Sequence, residues 1–110
     1  MPFSIRPHRR FSICYPVTYY AGLREGRGIV WNISMNGWRL SGDVPLCVGQ
    51  TYSLTVTLPN QPNLCVASVI VRWNRGQEYG LETVVVDQPT QSRVEYMLKH
   101  LEQGDLERIE

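Results

Sequence analysis

The chain has 110 residues, of which 43% are hydrophobic and 19% are charged, and its formal net charge is +1. These values are typical of one globular domain with a modest core, and they exclude a chain that is disordered throughout. A membrane-spanning helix is excluded because no run of about 18 apolar residues occurs. The N-terminus lacks the apolar segment of a secretory signal, and we therefore expect a cytoplasmic protein.

The basic residues are almost all arginine and are concentrated toward the N-terminus. Up to Gly76 eight arginines face two acidic residues, whereas from Gln77 onward three basic residues face eight acidic ones. The stretch RPHRR, Arg6 to Arg10, holds three of the arginines. Arginine presents a planar fork of donors that fits a phosphate or the edge of a guanine. Alone, the stretch is typical of a solvated terminal arm, but the charge distribution predicts that an anionic partner approaches the first part of the chain.

Six segments alternate between apolar and polar residues with the period of two that is typical of β-strands. In the second segment Ile29, Trp31 and Ile33 are expected on one face, with Val30 and Asn32 on the other. The fifth segment is more apolar, because its middle is expected to be buried on both faces. The six segments are SICYPVTYY (12–20), RGIVWNI (27–33), WRLS (38–41), YSLTVTL (52–58), LCVASVIVRW (64–73) and YGLETVVV (79–86).

After Pro89 the apolar period becomes that of an amphipathic helix, which Gly104 is expected to end. The stripe is expected to cover an open end of a barrel rather than to bind a partner. The sequence therefore predicts an all-β domain, residues 11–104, in which a six-stranded antiparallel β-barrel is closed by a C-terminal α-helix, followed by an acidic tail, 105–110. The apolar stripe consists of Val94, Met97, Leu98 and Leu101.

No constellation in the sequence points to catalysis or to a metal site. The three cysteines, Cys14, Cys47 and Cys65, lack the spacing of metal ligands and are expected to be reduced and partly buried. No turn gathers a nucleophile with a base, and only two acidic residues precede Glu78. We therefore expect neither an enzyme nor a protein that depends on a metal or a cofactor.

A short polar motif, NISMNG, interrupts the second strand. Asn32 and Ser34 are expected to place two short polar side chains on one face of this strand, and Gly37 is free to adopt a positive φ. An ordinary β-bulge at a polar strand end would show the same residues. Asn-Ile-Ser also matches a glycosylation sequon, but the expected absence of a secretion signal argues against that use.

In combination, the two motifs resemble the pattern of the PilZ domain family, R-x-x-x-R followed by D/N-x-S-x-x-G. Here Arg6 and Arg10 are followed, across one strand and into the next, by Asn32, Ser34 and Gly37. The later segments VRW and YGLE are similar to strand ends of the same family. The resemblance covers residues 3–101, nearly the whole chain.

The resemblance implies a barrel that binds the bacterial second messenger cyclic di-GMP. The two motif arginines, Arg6 and Arg10, would donate bidentate hydrogen bonds to guanine edges or phosphates, and Arg9 between them would contact phosphate. Asn32 and Ser34 would meet base N–H groups, and Gly37 would leave the pocket unobstructed. Trp73 would stack on the ligand or wall it off, unless it is a core or rim tryptophan. The implied ligand-binding residues are Arg6, Arg9, Arg10, Asn32, Ser34, Gly37 and Trp73.

Two further positions bear on how the ligand would be held. Many family members carry Asp where this chain has Asn32, and an amide accepts a hydrogen bond more weakly than a carboxylate. Ile5 precedes the first motif arginine, at a position that in the family influences whether one ligand or an intercalated pair is bound. An apolar residue at this position favours one ligand.

The resemblance implies a receptor or adaptor that changes its surface on ligand binding and regulates a partner protein in motility, polysaccharide or virulence control. Residues 1–10 are expected to form a flexible lid, because they lack a regular apolar period and their arginines repel one another. One alternative is a divergent PilZ-like interaction module that no longer binds ligand. A small-barrel nucleic-acid binder is disfavoured because the segments SLTVT and ETVVV carry no basic residue. We expect no DNA or RNA partner and no membrane insertion.

Overall fold

The computed structural model describes residues 11–108 of the protein, with side chains up to residue 101. The elements are β1 (Phe11–Ala21), β2 (Arg24–Ile33), β3 (Gly37–Gly42), β4 (Thr51–Val56), β5 (Leu64–Arg75), β6 (Glu78–Val85) and α1 (Gln88–Arg108). The strands form a closed barrel in the order β1-β2-β3-β6-β5-β4, and β4 pairs back onto β1. Every strand pairing is antiparallel. The predicted six-stranded antiparallel barrel with a C-terminal helix is confirmed.

The interior of the barrel is filled by apolar side chains. On β4, Tyr52, Leu54 and Val56 are buried while Ser53 and Thr55 between them are only half-buried, as the alternation predicts. Because each strand has a neighbour on both sides, the closed barrel presents no open sheet edge.

The alternation predicted for the second strand is wrong, because β2 contains a β-bulge. Its pairing with β3 shifts register between Val30 and Asn32. Val30 and Ile33 are fully buried, whereas Trp31 is 39% exposed and Asn32 is half-buried. A bulge inserts one extra residue, so that two consecutive side chains leave the same side of the strand. Trp31 therefore does not share a face with Ile33, and the bulge turns Asn32 toward the outside of the barrel.

Helix α1 covers one end of the barrel. Val94, Met97 and Leu98 are buried in the same core as the strand residues, and Leu101 packs against that core. The predicted apolar stripe and its role as a cover are therefore confirmed. Among residues 11–108, no helix has the length and apolarity needed to span a bilayer.

The C-terminal end of α1 differs from the sequence prediction, and its N-terminal end is capped. Asp87 precedes the helix, and hydrogen bonds from the side chain and the backbone N–H of Thr90 lower the pKa of its carboxyl. Pro89 is accommodated in the first turn, where its missing N–H would have no partner within the helix. The predicted end at Gly104 is wrong, because the helix continues to Arg108. A single glycine inside a helix costs only about 1 kcal/mol relative to alanine, which is too little to end it.

At the opposite end of the barrel, Tyr19 ties the β3–β4 loop to the strands. Its hydroxyl donates to the carbonyl oxygen of Val44 at 2.6 Å and accepts from the Val44 N–H at 3.0 Å. The side chain occupies space that two glycines leave free, because a Cβ atom on Gly26 would lie 2.3 Å from its ring and one on Gly42 would lie 2.1 Å from its hydroxyl oxygen. Burial is the main cause that raises the pKa of the Tyr19 hydroxyl.

Tyr19→Phe should lower the free energy of unfolding by about 1–3 kcal/mol, because both backbone groups of Val44 lose their partner. Since the pKa of Tyr19 is raised above its ordinary value of 10.0, its contribution is complete below pH 10 and is lost as the pH rises through the folded-state pKa. Denaturant unfolding from neutral pH to above pH 10 measures both effects, and the difference between parent and variant should shrink at the alkaline end. Tyr20→Phe, at the exposed neighbour, is the control and should change neither. An equal loss in both variants would contradict the role assigned to the Val44 contact.

Candidate functional site

Four adjacent strands, β2, β3, β6 and β5, carry a pocket of about 270 Å³ on the outside of the barrel. All the sequence-predicted site residues that the structure describes line this pocket. Arg6, Arg9 and Arg10 lie outside the described residues. The polar and aromatic lining residues are Asn32, Ser34, Trp38, Arg39, Arg72 and Trp73, with Gly37 and Gly80 between them.

Asn32 is bound to an arginine that the sequence analysis missed. Nη1 of Arg39 donates to Oδ1 of Asn32 at 2.6 Å, while Nε and Nη2 donate to Oε1 of Glu78 at 3.2 and 2.9 Å. Nδ2 of Asn32 lies 3.5 Å from both the carbonyl oxygen of Phe11 and the hydroxyl of Ser12. Asn32 thus connects β1 to β3, and its acceptor atom is occupied by Arg39.

Ser34 and Gly37 form the tight turn that separates β2 from β3. The backbone N–H of Ser34 donates to the carbonyl oxygen of Gly37 at 2.9 Å, and the Ser34 side chain is nearly buried. The positive φ expected at Gly37 is not found. Instead, a Cβ atom there would lie 3.2 Å from Oγ of Ser34 and 3.4 Å from the carbonyl oxygen of Leu81. Glycine is therefore favoured at this position by lack of space rather than by backbone conformation.

Trp73 lies on the rim of the pocket because of a second β-bulge. The pairing of β5 with β6 shifts register between Val71 and Trp73, so that Val71 stays buried while Arg72 and Trp73 both face outward. A Cβ atom on Gly80 would lie 2.0 Å from Nε1 of Trp73, which means that the indole rests directly on the β6 backbone. The guanidinium carbon of Arg75 lies 5.5 Å from the ring centroid, within cation–π range.

The second arginine of the pocket, Arg72, is also paired with a carboxylate of β6. Its Nε donates to Oε1 of Glu82 at 2.6 Å. Glu78 and Glu82 lie on either side of Gly80 on the outer face of β6, and each is joined to an arginine from a flanking strand. The pocket thus presents guanidinium donors, the indoles of Trp38 and Trp73, one amide and one hydroxyl. This combination suits a ligand with acceptor-rich or anionic groups and planar rings.

The place of Arg39 in the pocket could have been predicted from the sequence, whereas that of Arg72 could not. Arg39 follows Gly37 by two residues on the same strand, and the period of two places both on one face. That signal was present and was missed. Arg72 precedes Trp73 directly, and strict alternation would put the two side chains on opposite faces, so only the bulge brings both into the pocket.

No metal centre is found among the described residues, which contain no suitable group of three or more His, Cys, Asp or Glu side chains. Cys14, Cys47 and Cys65 are free and exposed, so the expectation that they are partly buried is wrong. Cys65 lies between the buried residues Leu64 and Val66 and hence points away from the core. The three thiols play no part in the pocket.

The sequence matches the family model described as PilZ domain over residues 4–100. Among curated proteins no match is found. The likeness to solved structures extends over most of the chain but at low sequence identity, and it therefore shows the fold.

Three of these solved structures illustrate the likeness. The Bacillus subtilis inhibitor of motility (MotI/DgrA) aligns with a TM-score of 0.75 at 18% identity, over 96% of this chain and 53% of that one, so this chain spans about half of its length. The PilZ domain with c-di-GMP of YcgR from Escherichia coli aligns with a TM-score of 0.77 at 12% identity, over 96% and 97%. The PilZ domain of CeSA from a cellulose-synthesizing bacterium aligns with a TM-score of 0.67 at 14% identity, over 86% and 98%.

Gly80→Ala should displace the Trp73 indole, because the added Cβ would overlap the ring nitrogen and Cε2. We expect a loss of about 1–3 kcal/mol in the free energy of unfolding and a shift of the Trp73 indole N–H resonance in NMR spectra. Gly37→Ala is the comparison within the same pocket: its Cβ would crowd Oγ of Ser34 at 3.2 Å but would not touch Trp73, so it should cost less stability and leave the indole resonance in place. An indole resonance that does not move in Gly80→Ala would show that Trp73 does not rest on β6 in solution.

Proposed function

This chain belongs to the PilZ domain family, and on that basis we propose that it is a cytoplasmic receptor for cyclic di-GMP. The observation that carries the proposal is that Asn32, Ser34 and Gly37, from one short motif, and Trp73, from a strand much later in the chain, line one pocket. The PilZ domain of YcgR, which has the same fold, was solved with this ligand. In this proposal the protein acts by binding cyclic di-GMP and does not catalyse a reaction.

The chemistry of the ligand matches the pocket group by group. Cyclic di-GMP has two phosphates and two guanines, and each guanine shows the acceptors O6 and N7 on one edge and N–H donors on another. Arg39 and Arg72 provide donors for phosphate or for O6 and N7. The hydroxyl of Ser34 accepts from base N–H groups, and the indole of Trp73 offers an apolar surface for a base.

The start of β1 lies beside this pocket, which supports a role in binding for the motif arginines that precede it in the sequence. Phe11 pairs with Ile33, and Ser12 pairs with Asn32. The chain therefore enters the barrel beside the pocket, and Arg10 is covalently attached at that point. Consecutive Cα atoms are about 3.8 Å apart, so the arginines at positions 6, 9 and 10 are within reach of a ligand in the pocket.

In the proposed mechanism, residues 1–10 act as a lid that becomes ordered over the ligand and changes the surface of the domain. The anionic ligand supplies the partner that the arginines of this segment attract. A partner protein then recognises the altered surface, as in the control of motility, polysaccharide synthesis or virulence. The name of MotI/DgrA, an inhibitor of motility, is consistent with an output of this kind.

Arg10→Ala should weaken binding of cyclic di-GMP at least tenfold, because one charge-assisted hydrogen bond of roughly 1.5–3 kcal/mol is lost. The melting temperature should stay unchanged, since position 10 precedes the barrel. Isothermal titration calorimetry measures the affinity, and Arg24→Ala, an exposed arginine at the far end of β2, is the matched control.

GTP and a short single-stranded oligonucleotide serve as control ligands in the same titrations. If the oligonucleotide binds as tightly as cyclic di-GMP, the protein is a nucleic-acid binder. If the folded parent does not bind cyclic di-GMP, it is a divergent interaction module. Full affinity in Arg10→Ala would remove Arg10 from the site.

Residues 4–10 should change from fast, large-amplitude motion to the rigidity of the barrel when cyclic di-GMP saturates the protein. The physical reason is that the ligand supplies negative charge to a segment whose nearest acidic residue in the sequence is Glu25. NMR relaxation of the backbone amides, with and without ligand, measures the change, and the amides of β4 serve as the internal reference. A segment that is already rigid without ligand, or still mobile at saturation, would exclude the lid even if binding is confirmed.

A further inference from the structure

We propose that Glu78 lowers the affinity of the pocket for its ligand by offsetting the positive charge of the Arg39 guanidinium. The inference rests on the proposed function, because cyclic di-GMP is the ligand that meets Arg39. It concerns a residue that lies beside the pocket and outside both sequence motifs.

Arg39 is held by two partners and has donors left over. A guanidinium carries five N–H groups. Two of them are directed to Oε1 of Glu78 and one to Oδ1 of Asn32. Among the described contacts, one N–H on Nη1 and one on Nη2 remain, and Arg39 lines the pocket. A ligand acceptor can therefore approach this guanidinium while the carboxylate is still bound to it.

The charge balance on Arg39 depends on Glu78. Asn32 is neutral, so among the described residues Glu78 supplies the one carboxylate within ion-pair distance of Arg39. The side chains of Arg39 and Glu78 are 38% and 42% exposed. Solvent thus screens the pair only in part, and the negative charge offsets some of the attraction between Arg39 and a phosphate or guanine oxygen.

The other pocket arginine has a more exposed partner. Arg72 donates to Glu82 through Nε, and the side chains of this pair are 58% and 49% exposed. Glu78 receives two donors from Arg39 in a less exposed position. Removing the charge of Glu78 should therefore change ligand binding more than removing that of Glu82 would.

The test is Glu78→Gln, which keeps an oxygen acceptor for Arg39 and removes the negative charge. Calorimetric titration with cyclic di-GMP should show an affinity about three- to fivefold higher than that of the parent, in line with a partly exposed ion pair. Glu25→Gln is the matched control: it removes the same charge from the exposed pair with Arg27, away from the pocket. Glu25→Gln should bind as the parent does. Unchanged or weaker binding in Glu78→Gln overturns the inference while the proposed function stands.

A double-mutant cycle with Arg39→Gln shows whether Glu78 acts through Arg39. In the Arg39→Gln background the gain from Glu78→Gln should disappear. An equal gain in both backgrounds means that Glu78 repels the ligand directly, and it overturns the inference. If neither the parent nor Glu78→Gln binds cyclic di-GMP, the proposed function is wrong and the inference falls with it.

The Nε–H resonance of Arg39 provides a second readout that does not depend on the affinity of Arg39→Gln. Because this N–H donates to Glu78, its NMR resonance should differ between the parent and Glu78→Gln, and it should move in the parent as cyclic di-GMP saturates the pocket. Glu25→Gln should leave it unchanged. A resonance that does not respond to the ligand shows that cyclic di-GMP does not interact with the guanidinium of Arg39, and this result overturns the inference.

Discussion

The closed interior of the barrel is filled by hydrophobic side chains and leaves no place for a polar group without a partner, and this requirement decides where the polar groups of the site lie. With strict alternation, Asn32 would share the buried face of Val30, and Trp73 that of Val71. The bulges in β2 and β5 add one residue each and turn Asn32 and Trp73 outward, while Val30 and Val71 remain buried. Both of these bulges lie at the pocket, whereas the register shifts at Tyr52/Leu54 and Ser68/Val69 lie away from it, so the site depends on two particular departures from regular pairing.

Charge balance within the pocket follows from the position of β6 between β3 and β5. The outer face of β6 carries Glu78, Gly80 and Glu82, and the flanking strands supply Arg39 and Arg72. Each arginine is held by a carboxylate, which orders it at the pocket, yet each pair remains partly exposed. Gly80 leaves room for the indole of Trp73, whose surface completes the pocket. One strand therefore organises both the electrostatics and the shape of the site.

Different interactions stabilise the two ends of the barrel: apolar packing at one and hydrogen bonds at the other. At one end α1 buries Val94, Met97 and Leu98 in the core, and at the other the hydroxyl of Tyr19 holds the loop at Val44. Neither end contributes to the pocket, which opens on the outer wall. In the proposed receptor this arrangement separates stability from ligand binding, so that the segment before Phe11 changes on binding while the barrel keeps its form.

The sequence by itself determined the barrel, its closing helix and the convergence of Asn32, Ser34 and Gly37, because these depend on local periods and on motif spacing. It gave the wrong face for Trp31 and the wrong end for α1, and it missed Arg72 as a pocket residue. Whether Trp31 faces inward depends on how β2 pairs with β3, and whether Arg72 and Trp73 meet in one pocket depends on how β5 pairs with β6. The pairing of Arg39 with Glu78, 39 positions apart, likewise required the tertiary structure. Such features are settled only when all six strands pack together, since a bulge is placed by the fit of a strand to its neighbours and not by the residues at the bulge alone.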